Sequence, residues 1–214
     1  MTTLEWIRQE KLIAIVRGVA REQIIPLARA LYDGGVRIME ITYSMKEDDA
    51  VTAEAVRSLC EEMGGRMCIG AGTVIYPEQV ELTRRMGGQF IISPDACEEV
   101  IRKTKELGMV SIPGALTPTE AMAAYRAGAD IIKLFPITSM GTAYVKAIRA
   151  PLSGVQFAAV GGVNLDNILE YRKAGIECFG IGSNIIDKKA LAAGDFAAIT
   201  ALAQKYVKAI HEDL

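Results

Sequence analysis

The chain has 214 residues, half of them hydrophobic, enough for one core of the size that barrel folds build. Lys and Arg number 24 against 26 Asp and Glu, a formal charge of −2, so no basic surface advertises nucleic acid or anionic lipid. The one histidine, His211, stands near the end of the chain, which argues against a zinc or iron site built from imidazoles, and no metal or other cofactor is expected.

Met1 to Glu10 carries Glu5, Arg8 and Glu10 close to Trp6 and Ile7, unlike the apolar centre of a secretory signal. No later stretch stays apolar for the ~18 residues that a membrane span needs. A soluble cytoplasmic protein is the expectation. Cys60, Cys68, Cys97 and Cys178 form no C-x-x-C pair, and all four are read as reduced and buried.

Leu12 to Val16 is the first apolar run with strand character. After it, Ile24, Leu27, Ala28 and Leu31 fall on one face of a helix. From there a unit recurs: amphipathic helix, glycine, short apolar strand. Gly35, Gly65, Gly88, Gly108, Gly128, Gly154 and Gly175 hold the glycine position, where a helix commonly ends in a residue at positive φ. The strands that follow are 36–42, 67–70, 89–93, 109–112, 130–135, 155–160 and 177–181, which makes eight in all. Asp95 with Glu98 and Thr117 with Glu120 have capping-box spacing, and Pro118 fits the first helical position. Apolar strands alternating with helices imply a parallel sheet, and eight such units close into a (β/α)₈ TIM barrel. An open doubly wound sheet is the competing architecture, but no G-x-G-x-x-G follows the first strand. Residues 1–214 read as a single α/β domain.

Strand alternation places Val36, Ile38, Glu40 and Thr42 on one face, with Met39 and Ile41 opposite. It likewise groups Ile131, Lys133 and Phe135 against Ile132 and Leu134. Glu40 and Lys133 therefore point into the barrel, on even-numbered strands that can share one layer if the register allows. Burying such charges is costly, so function is one explanation. A structural ion pair, or a lysine snorkelling to the barrel mouth, is the other, and patterning leaves both open. A desolvated lysine can attack a ketone and form an iminium, which withdraws electrons from the adjacent C–C bond. A carboxylate beside it can move the protons.

Two glycine clusters end the last two strands, Gly161-Gly162 and Gly180-Ile181-Gly182-Ser183. Loops in these positions are the usual phosphate site of barrel enzymes, although such glycines also simply turn tight loops. Arg17, Thr73 and Pro94 lie at other strand ends. Arg17 can pair with a carboxylate or phosphate and Thr73 can donate to one, or both can be ordinary rim residues. Phe135 reads as a hydrophobic wall beside the lysine, or as core.

Taken in order, Leu12 to Arg17, Gly34-Gly35 to Thr42, Ile69 to Val74, Phe90 to Pro94, Ile112-Pro113-Gly114, Lys133-Leu134-Phe135-Pro136 and Gly161-Gly162 resemble the bacterial 2-keto-3-deoxy-6-phosphogluconate and 4-hydroxy-2-oxoglutarate aldolases. The resemblance covers nearly the whole chain. It implies a class I Schiff-base aldolase on a TIM barrel, usually a homotrimer, needing no metal. By the same resemblance Lys133 matches the iminium-forming lysine, Glu40 the proton-transferring glutamate and Thr73 a contact to the pyruvyl carboxylate. Gly161, Gly162, Gly182 and Ser183 match the phosphate loops. The sequence departs at Ser44, where phosphogluconate-type members often carry arginine, and at Val160, where a threonine often precedes the glycine pair. Arg17 is the candidate to replace the lost charge.

The expected reaction is reversible cleavage of 2-keto-3-deoxy-6-phosphogluconate, or a close 2-keto-3-deoxy sugar acid, to pyruvate and glyceraldehyde 3-phosphate. The 6-phosphogalactonate analogue and 4-hydroxy-2-oxoglutarate are alternative substrates of the same site. Two rivals remain at this stage: a phosphate-binding barrel isomerase or synthase, and a non-catalytic sugar-phosphate sensor. No nucleic-acid or membrane partner is expected.

Overall fold

Alternation along the first strand sets the plan of the whole sheet. In the computed structural model, which describes residues 1–212, β1 (Leu12–Val16) sends Ile13 inward to a cluster with Ile38, Phe90 and Ile131. Leu12, Ala14 and Val16 face the other way, into a larger cluster shared with the helices. The remaining strands are β2 (Ile38–Thr42), β3 (Cys68–Gly72), β4 (Phe90–Ile92), β5 (Val110–Ile112), β6 (Gly114–Ala115), β7 (Ile132–Leu134), β8 (Phe157–Val160) and β9 (Cys178–Ile181). The helices are α1 (Thr3–Glu10), α2 (Arg21–Asp33), α3 (Asp49–Met63), α4 (Pro77–Arg85), α5 (Glu98–Glu106), α6 (Pro118–Ala127), α7 (Gly141–Arg149), α8 (Ile168–Lys173), α9 (Lys188–Ala193) and α10 (Phe196–His211). Among the described residues no helix is long and apolar enough to cross a membrane.

All pairings are parallel, in the order β5-β4-β3-β2-β1-β9-β8-β7-β6. The two ends of that order are two halves of one extended stretch, divided at Pro113, which has no N–H to give to a ladder. Its carbonyl still accepts the Lys133 N–H at 2.9 Å, and the Ser111 carbonyl accepts that of Asp130 at 3.0 Å. The sheet therefore closes on itself, and the nine strands are the eight expected units of a TIM barrel with the fifth unit split.

Inside the barrel, Ile13, Ile38, Cys68, Phe90, Ile131, Ala158 and Cys178 form the lower packing, and Ile7 of α1 is fully buried against them. Gly70 makes room for the Phe90 ring: a Cβ there would lie 2.6 Å from Cδ1. Outside, Ile24, Leu27, Ala28 and Leu31 are buried as the helical period requires. Thr117 and Glu120 form the expected capping box, with Pro118 first in α6.

Five expectations need correction. Val36 does not face the lumen; it packs with the helices, because pairing begins only at Ile38. Gly88 and Gly154 do not carry positive φ; at that turn the left-handed residue is Gly87, φ 92°, and Gly88 instead sits against Thr83. Asp95 caps nothing, since α5 starts later, at Glu98, with Cys97 as its cap residue. Cys60 and Cys97 are half-buried where burial was expected, although all four cysteines are free. Finally, α1 is a helix with its own capping box, Thr2 with Glu5, in a segment that periodicity left without assignment.

Ile7 seals the barrel floor, so Ile7→Ala should cost roughly 2–5 kcal/mol, the range for a large-to-small change in a core. Urea unfolding measures it directly. A change within about 0.5 kcal/mol, as for an exposed position, would show that α1 does not contribute to the core.

Candidate active site

Lys133 sits at the centre of β7, on the face that it shares with Ile131 inside the barrel. The residue is 6% exposed. Its Nζ donates to the backbone carbonyl of Ser93, at the top of β4, at 2.9 Å. The Phe135 ring centroid lies 4.5 Å from the same nitrogen, within cation–π range. Burial is the main force lowering the pKa of this amine, and the Arg17 charge adds to it; Glu40 and Asp95 oppose the shift. The lysine is thus held inside the barrel rather than snorkelling out.

Glu40 enters from β2 and is 2% exposed. Gly72 on β3 provides the space it occupies: a Cβ there would lie 1.5 Å from Oε1. Oε2 is buried and has no hydrogen-bond partner among the described residues. Desolvation raises the carboxyl to about 7, against the opposing pull of Lys133 and Arg17. Each group feels the other's charge, but no ion pair within contact distance joins them. A satisfied structural salt bridge does not account for the pair; an unpartnered oxygen in a buried carboxyl is a place for substrate or water.

Arg17 follows β1 onto the exposed rim, where its Nη2 donates to Thr73 Oγ1 at 2.9 Å. Thr73 comes directly after Gly72 with φ 56°, an uncommon conformation for a residue with a Cβ, which turns its hydroxyl toward Arg17. Ser44 brings no charge to this rim, and its Oγ accepts the Lys46 N–H at 3.2 Å in a local turn. Pro94, half-buried, follows the carbonyl that holds Lys133, and its own carbonyl packs over Gly114. Phe135 is 38% exposed, which makes it a wall of the mouth and not core.

Gly161 and Gly162 both have left-handed backbone, φ 94° and 82°. A Cβ on Gly162 would lie 2.5 Å from Thr138 Oγ1, so the loop is both bent and covered at that point. Gly182 is different: its φ is ordinary, and a Cβ there would meet nothing closer than 3.7 Å. Backbone and neighbouring atoms thus require glycine at Gly161 and Gly162 but not at Gly182. The backbone N–H groups of Gly162, Val163, Ser183 and Asn184 reach no backbone carbonyl among the described residues. They and the Ser183 hydroxyl are the donors that an anion at this edge would find.

Sequence reasoning missed the supports. Ser93 acts through its carbonyl, which no side-chain pattern reveals. Thr138 Oγ1 donates to the Gly161 carbonyl at 2.9 Å, and Asn184 Nδ2 ties the two glycine loops together through the Val163 carbonyl at 2.7 Å. Asn184 was within reach, being next to Ser183 in a Gly-Ser-Asn turn. A cavity of about 630 Å³ opens beside these loops, bounded by Ile15, Arg17, Gly182 and Ser183. A larger one, about 760 Å³, lies between α2 and α3; its lining mixes apolar residues such as Val19, Ile24 and Val51 with Thr42, Thr52, Glu47 and Glu54, and includes neither Lys133 nor Glu40.

The arrangement joins a desolvated amine, a carboxyl raised toward neutrality, a cationic rim and a set of N–H donors without backbone partners among the described residues. Among known proteins, residues 4–202 match the family model described as KDPG and KHG aldolase. The chain is 36% identical to the 2-dehydro-3-deoxy-6-phosphogalactonate aldolase of Escherichia coli, over 85% of this chain and 87% of that one. It is 33% identical to the 2-dehydro-3-deoxy-phosphogluconate aldolase of Treponema pallidum, over 98% of each. A crystal structure of KDPG aldolase from Legionella pneumophila, with pyruvate captured as a covalent carbinolamine, superimposes with a TM-score of 0.86 at 29% identity, covering 95% of this chain and 97% of that one. The chain belongs to the KDPG and KHG aldolase family.

Proposed function

We propose that this class I aldolase cleaves a 2-keto-3-deoxy-6-phospho sugar acid, with Lys133 as the nucleophile and Glu40 as the proton carrier. The observation that carries the assignment is the buried Lys133 amine, bonded to a backbone carbonyl and sharing the lumen with a carboxylate whose Oε2 is unpartnered. Lys133 Nζ attacks the C2 carbonyl. Glu40, through a water, helps expel the C2 oxygen as water and leaves an iminium. The C4 hydroxyl proton then passes to Glu40 as the C3–C4 bond breaks, its electrons moving into the iminium to give an enamine. Glyceraldehyde 3-phosphate departs, C3 is protonated, and hydrolysis frees pyruvate and the amine. A carboxyl near 7 is suited to both directions of transfer at neutral pH.

Arg17 and Thr73 are placed to hold the substrate carboxylate, Phe135 and Pro94 to flank the pyruvyl group, and Gly161, Gly162, Gly182 and Ser183 to hold the phosphate. The 6-phosphogluconate analogue is the first reading of the substrate. A second, its 6-phosphogalactonate counterpart, is favoured by Val160: this buried residue puts methyl groups where phosphogluconate-type members often have a threonine hydroxyl. The 36% identical Escherichia coli relative carries that second name. The reading takes residues 1–214 as one domain acting in the cytoplasm and, on family resemblance, as a homotrimer, and calls for no metal.

Borohydride trapping with pyruvate should label the wild type at one lysine, and Lys133→Ala should give no adduct by mass spectrometry. An adduct retained in that variant would remove Lys133 from the reaction. No adduct in the wild type would favour the isomerase or synthase reading, and ligand binding without turnover the sensor. Pyruvate release from the two C4 epimers decides between the substrates.

Glu40→Gln should lower kcat about 10²-fold or more. In the wild type kcat should rise through pH of about 7 as the carboxylate forms, and this limb should be missing in the variant. The sign for stability is opposite. A carboxyl raised from 4.5 to about 7 makes the folded chain hold a proton that the unfolded chain has released, so the wild type loses stability relative to Glu40→Gln as pH rises across that window. Urea midpoints for both proteins at the two ends of the window test it; an unchanged gap would contradict burial of a charged Glu40.

A further inference from the structure

The phosphate end of the proposed substrate meets donors but little charge. Gly162, Val163, Ser183 and Asn184 offer N–H groups, all of them neutral. Arg17 is one cation lining the 630 Å³ cavity, and its guanidinium donates to Thr73 Oγ1, just after β3, at 2.9 Å. Serving the carboxylate end there leaves a phosphate dianion in need of a second full charge.

Lys188 is the second cation of that lining. It is exposed, and it bounds the same cavity as Arg17, Gly182 and Ser183. Among the described residues its ammonium is in no ion pair. The neighbouring Asp187 does not claim it, because its Oδ1 accepts the N–H groups of Lys189 at 2.7 Å and Ala190 at 2.9 Å. Gln23, the other polar side chain in the lining, gives its Nε2 to the Leu191 carbonyl at 2.9 Å. A lysine is a compact point charge on a flexible stem and needs no bidentate geometry to bind phosphate. We propose that Lys188 supplies the counter-charge for the substrate phosphate, folding over the oxygens held at Ser183, while Arg17 serves the carboxylate. This rests on the reading of the chain as an aldolase of phosphorylated keto acids.

The test compares wild type, Lys188→Met and Lys188→Arg on a 2-keto-3-deoxy-6-phospho sugar acid and on its unphosphorylated counterpart. Borohydride trapping of pyruvate, which has no phosphate, reports separately on the lysine chemistry. Lys188→Met should raise KM for the phosphorylated acid roughly tenfold, as expected for one lost charge-assisted contact, with kcat within about twofold. Kinetics on the unphosphorylated acid and the pyruvate adduct should not change, and Lys188→Arg should recover most of the loss. If the wild type prefers the phosphorylated acid and Lys188→Met keeps the same preference, the role of Lys188 is overturned and the substrate reading stands. Equal losses on both acids and on the adduct would mark a structural role and overturn it as well. A wild type that cleaves both acids equally well would end the phosphate reading itself, and this inference with it.

Discussion

The site depends on removing one amine from water. An ammonium in a packed barrel loses hydration that the interior does not return, and the protein's response is to move the proton equilibrium toward the neutral amine. Lys133 is 6% exposed and has a backbone carbonyl for its N–H. A carbonyl can accept from an amine as well as, more strongly, from an ammonium, so the bond positions the nitrogen in either charge state. A carboxylate in contact would instead have locked the ammonium. Glu40 and Lys133 are near enough to share an electrostatic field and too far apart to pair, as the proposed chemistry requires.

Everything that creates this environment is contributed by small residues or by residues lacking a donor. Pro113 splits the fifth strand, and its carbonyl still receives the backbone N–H of Lys133. Gly72 gives the Glu40 carboxyl its volume, and Gly70 gives Phe90 the space from which it fills the lumen below. Large side chains at those places would have filled the barrel and made it a better core without a site. The floor beneath is apolar and sealed by Ile7 of α1, so water can reach the amine from the mouth and not from below.

The barrel was legible because its signals are periodic. Strand alternation placed Lys133 and Glu40 inward before any coordinates, and both are there, since a parallel sheet covered by helices leaves each strand residue only two directions. The same rule failed at Val36, which precedes the pairing. Most helix ends were legible to within a residue or two, Gly87 carrying the turn assigned to Gly88 and Asp95 lying too early to cap α5, but Gly154 stands five residues beyond the end of α7 at Arg149. What sequence did not disclose is contact made by backbone atoms. The Ser93 carbonyl, the left-handed Thr73 and the unpaired N–H groups of the glycine loops are consequences of where the chain runs, not of which side chains it carries. The two architectural readings of Phe135 also needed exposure to separate them.

A substrate with a carboxylate at one end and a phosphate at the other sets the barrel a problem in charge placement. Any cation close to the lumen stabilises those anions and also makes an ammonium at Lys133 less favourable; Arg17 already has that effect. In the proposed reaction the cost is twofold, because its iminium is itself positive and a nearby guanidinium opposes it as well. Neutral N–H donors escape the conflict. They bind oxygen anions through dipoles whose field falls away faster with distance than that of a whole charge, so they can lie near the lysine without opposing the iminium. Full positive charges are then tolerable only on the rim, where solvent screens them from the lumen and a phosphate can still reach them. The positions of Gly161 near the Phe135 ring and of Arg17 on the exposed rim follow that ordering, and the role proposed for Lys188 extends it.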